Sequence, residues 1–332
     1  MGATGRYFCR LIVAIVACVV GAATARAAEI KGTMEGKVTP YKGGGTIVSS
    51  GFVLEGKIEP GDYDKLRTVY GDVRANQFYL GSLKANELYL ASPGGDLAEA
   101  MKIGRLVRAL KLHTIVPSRW DDPHTFDVMV IEHELKEPKV NYMCASACFF
   151  IFVAGVERTA DLGSDAILGI HKPYLSASDL KIQSGDQAIT SANQVRTIVE
   201  NYLKEMGVPT KYADLMFSTP KDKVRWVGNA DFNADLEGVI PALRDWLAAR
   251  CDKRTDVEKA MWEKMMTDRR PIGQYSAAER SIADMMQKKM REVSDCDRVT
   301  LDKLSADAWL EMFDPACTII APEAREVCHR QK

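Results

Sequence analysis

Ser146 and His171 carry the chemistry this sequence points to most directly. Ser146 stands in NYMCASACFF, between two alanines, bracketed by Cys144 and Cys148, immediately before an apolar run. His171 follows 25 residues later in ILGIHKPY. A serine hydroxyl is a weak nucleophile until a base takes its proton, so it needs an imidazole within hydrogen-bond reach. A strand-to-helix turn would hold that hydroxyl out of the core, with the first helical amides facing a developing oxyanion. The Ala147 N–H is the natural first donor. Each residue also has a plainer reading. Ser146 alone is a small packing residue, and His171, flanked by Ile170 and Pro173, is a core histidine.

The elements that must position these residues are legible from periodicity. ELYLAS reads as a short buried strand, SPGGD as a turn, and LAEAMKIGRLVRALK as a helix with one apolar face at Leu97, Met101, Ile103, Leu106, Val107 and Leu110. LHTIVP is another strand, so the order strand, glycine turn, helix, strand predicts parallel crossover units and an α/β core. Upstream, TIVSSGFVLEGKI is strand-like and GDYDKLRTVY has helical spacing. Downstream come FFIFVAG, a strand in AILGIHKPY, a helix from about Ser176 to Met206, a helix from Tyr212 to Phe217, and a last short element in ADLEGVI. Residues 117–140 read as an insertion with a short alternating strand, VMVIEHE.

Taken together, SPGGD, CASACFFIFVAG and ILGIHKPY resemble the ClpP/crotonase superfamily, and its serine-peptidase branch in particular. The matching residues are Ser92-Pro93-Gly94-Gly95, Ala145-Ser146-Ala147 and Ile170-His171-Lys172-Pro173, across about residues 50 to 240. The resemblance implies stacked ββα units, Ser146 as nucleophile, His171 as base, and Gly94, with Gly95 behind it, as a second oxyanion donor beside Ala147. The third member departs from the family pattern. In STPKDKVRW, Ser218 falls on the aspartate's position and Asp222 lies one helical turn later. Ser218 could fix the imidazole tautomer but brings no negative charge; Asp222 is the other candidate. Related exported peptidases use a lysine base, and Lys172 should point away from the site if its segment is a strand.

The chain has 332 residues, 46% hydrophobic and 27% charged, which suits a globular domain with an appendage. Arg6 and Arg10, the apolar run from Leu11 to about Ala23, and Ala25-Arg26-Ala27 predict a signal peptide over residues 1–27. A retained anchor and a lipoprotein cleavage at Cys18 are alternatives, and only these would bring membrane contact. Removal of the leader takes three arginines and no acid, moving the formal charge from −1 to −4, which argues against nucleic acid as a partner. The expected compartment is periplasmic or extracellular, where six cysteines remain: Cys144, Cys148, Cys251, Cys296, Cys317 and Cys328. Spacing favours one link within CASAC and two among the other four. Cys144 and Cys148 are equally readable as two small buried residues.

From about residue 241 to 332 the sequence predicts a helical, cysteine-containing extension to the main domain of residues 28–240. Ser276 to Glu279 forms a capping box, and Val257, Met261 and Met265, with Ile282, Met285, Met286, Met290 and Val293, give apolar faces expected to be core. Asp121, Asp122, His124 and His133 could be metal ligands in the insertion, although a solvated loop accounts for them; no metal and no cofactor are expected. The leading expectation is an exported serine hydrolase acting on a peptide or unfolded protein through an acyl-enzyme, as a homo-oligomer without an ATPase partner. The alternative is a catalytically inactive binding or scaffolding protein of the cell envelope.

Overall fold

The computed structural model describes residues 28–32, 37–40, 46–49, 52–79, 86–119, 143–160, 165–173, 185–220, 222–268, 270 and 272–313. The leader with Cys18, nearly all of the 117–140 insertion including Asp121, Asp122, His124 and His133, and Cys317 and Cys328 lie outside the described residues. In chain order the strands are β1 (Glu29–Gly32), β2 (Lys37–Pro40), β3 (Thr46–Ser49), β4 (Phe52–Glu55), β5 (Glu87–Ala91), β6 (His113–Val116) and β7 (Ser118–Arg119). They continue as β8 (Cys144–Ala145), β9 (Glu157–Ala160), β10 (Asp165–Ala166), β11 (Leu168–Ile170), β12 (Arg225–Trp226) and β13 (Gly238–Val239). The longer helices are α1 (Asp62–Tyr79), α2 (Leu97–Ala109), α3 (Cys148–Phe152), α4 (Gly185–Glu205) and α5 (Lys211–Ser218). Beyond them come α6 (Pro241–Cys251), α7 (Asp256–Thr267) and α8 (Ala277–Phe313).

The fold is mixed α/β. Its main sheet has the order β1-β4-β5-β6-β9-β13, with β4, β5, β6 and β9 parallel and the two edge strands antiparallel. The near-continuous burial of β4 and β5 is what a parallel strand covered on both faces requires. The strand–turn–helix–strand unit read from the sequence is β5, the SPGG turn, α2 and β6. Asp96 caps α2 by accepting the Glu99 amide at 2.7 Å. Glu99 is itself buried and accepts the amides of Gly61 and Tyr63, both at 2.9 Å, which ties the start of α1 to α2. Burial opposes its ionisation, yet those amides and Lys102 together hold the carboxyl below its ordinary range.

A second, three-stranded sheet, β12-β11-β8, adjoins the end of β5. The link is a parallel bridge between Ser92 and Cys144, with the Ala145 amide donating to the Ser92 carbonyl at 2.9 Å. The strand expected in AILGIHKPY is divided into β10 and β11, and the helix expected from Ser176 is described from Gly185. ADLEGVI supplies the short edge strand β13 behind a wide helical turn over Phe232–Leu236.

The extension is helical and cross-linked, since Cys251 of α6 and Cys296 of α8 form a disulfide with Cα atoms 5.6 Å apart. The last third of α8 docks on α1: Ser305 Oγ lies 3.2 Å from the Tyr70 hydroxyl, and Phe313 packs on Tyr70 and Gly71. The expectation that the methionine faces are core is corrected here. Val257 is 69% exposed and Met285 45%, α7 has no buried residue, and of the two faces Met286 alone is fully buried among the described residues. The reason is geometric. α8 spends its docked face on α1 near its end and on α6 at Cys296, and among the described residues no sheet covers the apolar sides of α7 and the first part of α8, so most of those residues stay partly exposed.

Candidate active site

Ser146 sits where β8 ends and α3 begins. β8 runs parallel to β11 with Cys144 opposite Leu168 and Ala145 opposite Gly169, and the Ser146 amide donates to the Gly169 carbonyl at 2.9 Å. One step further along each strand brings the chain to Ser146 on one side and to Ile170 and then His171 on the other. Neighbouring strands lie about 4.8 Å apart, so the register ties Ser146 to Gly169, two residues before His171, and both residues leave the sheet at the same end. Both are half-buried. Ser146 has φ +58°, in the left-handed region that a non-glycine residue adopts only when its surroundings hold it there. Such a turn between strand and helix aims a serine hydroxyl out of the fold.

The SPGG turn packs against this elbow. A side chain on Gly94 would place its Cβ 2.5 Å from Ser146 Cβ, 2.7 Å from the Ala145 oxygen and 2.9 Å from the Ala147 nitrogen, so only glycine fits. Ser92, fully buried, accepts the Gly94 amide on its hydroxyl at 3.1 Å. Gly94 was expected as an oxyanion donor through the family resemblance, but its N–H is thus already committed. Gly95 differs. It pairs in parallel with Ile58, whose amide donates to the Gly94 oxygen at 2.8 Å and whose carbonyl accepts from Asp96 at 2.9 Å. The Gly95 N–H therefore points away from Ile58. Among the described residues, neither it nor the Ala147 N–H donates to a protein acceptor.

Cys144 and Cys148 form a disulfide across the elbow, with Cα atoms 5.3 Å apart. It closes the alternative that the sequence left open. Both are fully buried, and α3 behind them runs through Phe149, Phe150, Ile151 and Phe152 into the core.

The imidazole of His171 is held differently from the expectation that the resemblance raised. Its Nδ1 lies 3.0 Å from the carbonyl oxygen of Lys172. A carbonyl can only accept, so the neutral ring carries its proton on Nδ1 and keeps its basic lone pair on Nε2. Neither sequence candidate for the third member takes that nitrogen. Ser218 is exposed and donates its hydroxyl to the Leu215 carbonyl at 3.0 Å, as a residue in the last turn of a helix readily does; Asp222 is exposed in the turn after α5. The segment does approach the histidine, because the Lys172 amide donates to the Thr219 carbonyl at 3.0 Å. A main-chain carbonyl on Nδ1 has no residue-type signature, which is why the sequence did not reveal it. Ser92, by contrast, was visible in SPGG, but only as part of a turn.

Among the described residues no group of three or more His, Cys, Asp or Glu side chains could hold a metal ion, and no helix is long and apolar enough to cross a membrane. No protein-family profile matches the chain, and no curated protein matches it in sequence. One solved structure to which it is similar is a mutant of the 1510-N membrane-bound stomatin-specific protease, at 15% identity and a TM-score of 0.34, over 57% of this chain and 78% of that one.

Proposed function

We propose that the protein is an exported ClpP-like serine hydrolase, a peptidase acting through an acyl-enzyme on Ser146. The observation that carries this reading is the left-handed Ser146, wedged on a strand-to-helix turn against a glycine that admits no side chain. In the proposed cycle, His171 Nε2 takes the Ser146 proton as Oγ attacks a carbonyl carbon. The oxyanion is met by the Ala147 and Gly95 amides. His171 then delivers the proton to the leaving amine, and water repeats the sequence in reverse to free the acyl group. Lys172 supplies the tautomer-fixing acceptor but no charge to stabilise imidazolium. Serine proteases that lose only the carboxylate of their triad fall roughly 10⁴-fold in turnover, so a slow enzyme is expected.

Two disulfides support an oxidising compartment, and the leader read from the sequence supports export; no ATP-driven unfoldase is expected there, so the proposed substrate class is a short or unfolded peptide. A homo-oligomer remains the family-based expectation. The carbonyl contact at Nδ1 also favours a second reading, a fold kept for binding after its chemistry was lost. Fluorophosphonate labelling of the mature protein, beside Ser146→Ala and His171→Ala, separates the two. Labelling abolished in both variants supports the hydrolase. A folded wild-type protein that takes no label supports the binding role.

A further inference from the structure

We infer that Cys144 and Cys148 are positioning residues: their disulfide holds Ser146 in its left-handed turn, so the nucleophile becomes competent only once that bond has formed. The inference rests on the reading of Ser146 as nucleophile and concerns the regulation of that same site.

The chain on either side of the elbow is anchored unequally. Before it, the amides of Cys144, Ala145 and Ser146 donate to the carbonyls of Ile167, Ser92 and Gly169 at 3.0, 2.9 and 2.9 Å. After it, α3 is only five residues long, and Ala147 at its start makes no side-chain cap. The elbow enters a short helix whose first turn is closed by the Phe149 and Phe150 amides on the Ser146 and Ala147 carbonyls, both at 3.1 Å, and whose outside anchors, Tyr202 on the Phe150 carbonyl and Thr114 on that of Phe152, lie beyond that turn. The residues flanking Ser146 are alanines, whose methyl groups offer nothing to hold a turn. A left-handed conformation is costly for any residue with a side chain. The side-chain link that crosses Ser146 is the bond from the last anchored strand to the first residue of the helix. It fixes both ends of the turn, and with them the direction of Oγ and the Ala147 amide.

Its formation is a simple exchange. The two thiols lose two protons and two electrons to a disulfide oxidant, a Cys144 Sγ–Cys148 Sγ bond forms, and the oxidant leaves as a dithiol. Both cysteines are fully buried in the folded protein, which shields the bond from reductants afterwards. The arrangement is a latch set during folding in an oxidising compartment. A chain folded among reducing thiols carries the same residues with an unfixed elbow.

The test uses Cys144→Ala/Cys148→Ala with the Cys251–Cys296 bridge intact, compared with the oxidised wild type. Its first readout is the fluorophosphonate reaction resolved into a saturating rate constant and a half-saturation concentration. Misplacing a reacting group by about 1 Å costs on the order of 100-fold, so the rate constant should fall roughly 10- to 100-fold while half-saturation stays unchanged. An unchanged rate constant overturns the inference, as does a parallel loss of both constants with the near-UV circular dichroism. If the variant does not fold, wild type refolded in graded dithiol/disulfide buffers replaces it, with bridged and unbridged molecules distinguished by alkylation and peptide mass. Equal labelling of the two populations again overturns it. The second readout is hydrogen exchange over residues 145–150, which needs no catalysis. Faster exchange at Ala147, Cys148 and Phe149 without the bridge supports the latch; equal exchange overturns it. Wild-type protein that never labels defeats the hydrolase reading instead, and the exchange measurement still decides the latch.

Discussion

Replacing Gly94 by alanine, with Gly61→Ala as the matched control, tests the packing of the SPGG turn on the elbow. Both glycines have nearly the same positive φ, +100° and +99°. An alanine in that region costs about 1–2 kcal/mol at either position. The surroundings differ completely: a Cβ at 61 meets nothing within 4 Å, whereas at 94 three heavy atoms, two of them backbone, lie within 2.9 Å. Backbone on both sides cannot give way like a flexible side chain, so overpacking adds about 1–3 kcal/mol. Urea unfolding should show a loss of about 1–2 kcal/mol for Gly61→Ala and about 2–5 kcal/mol for Gly94→Ala. Fluorophosphonate labelling should survive the first substitution and fail in the second, because the added methyl displaces Ser146 Cβ and the Ala147 amide. Equal destabilisation of the two variants, or wild-type labelling in Gly94→Ala, refutes the argument that this glycine shapes the turn bearing Ser146.

Three further outcomes are expected. His113, bonded through Nε2 to Thr159 Oγ1 at 2.8 Å, is pushed by burial down to about 4 from its ordinary 6.5. The unfolded chain therefore binds its proton more tightly, and about 3 kcal/mol of stability present above pH 6.5 is lost as pH falls toward 4. Denaturant titrations of wild type and His113→Gln across that range isolate this contribution from that of Glu157. Burial and neighbouring acids raise the Glu157 carboxyl, which gives the opposite slope, its stability being lost as pH rises. A Cβ at Gly104 would sit 1.8 Å from the Tyr202 hydroxyl, which donates to the Phe150 carbonyl at 2.9 Å. Gly104→Ala should destabilise strongly, Tyr202→Phe by about 1 kcal/mol, and the double variant by less than their sum, read from thermal unfolding as a double-mutant cycle. Opening Cys251–Cys296, 45 residues apart, should weaken the extension by up to about 4 kcal/mol on the loop-closure estimate. Ser146 labelling should be unaffected; if it falls as well, the extension and the elbow are coupled.

Local order was legible because local order is what periodicity and turn chemistry encode. The run ELYLAS, the glycines after it and the apolar face of LAEAMKIGRLVRALK have one compact solution, and β5, the SPGG turn and α2 are that solution. Ser146 and His171 were singled out only by the order of the motifs that carry the resemblance, since residue type alone read them as a packing serine and a core histidine. What chain spacing could not say is which backbone groups face one another. The parallel register of β8 on β11 ties Ser146 to Gly169, two residues before His171, and the pairing of Gly95 with Ile58 turns the Gly95 amide away from that segment. The Lys172 carbonyl on Nδ1 is a main-chain atom common to every residue, so no sequence pattern marks it. Apolar spacing in α7 and α8 showed that the helices have faces to cover, but burial depends on how many neighbours arrive, and only the tertiary structure decides that. The sequence by itself determined the local elements and nominated the candidate residues. Their partners were decided by long-range packing, because hydrogen bonds and burial are properties of atoms that meet in space, whatever their separation along the chain.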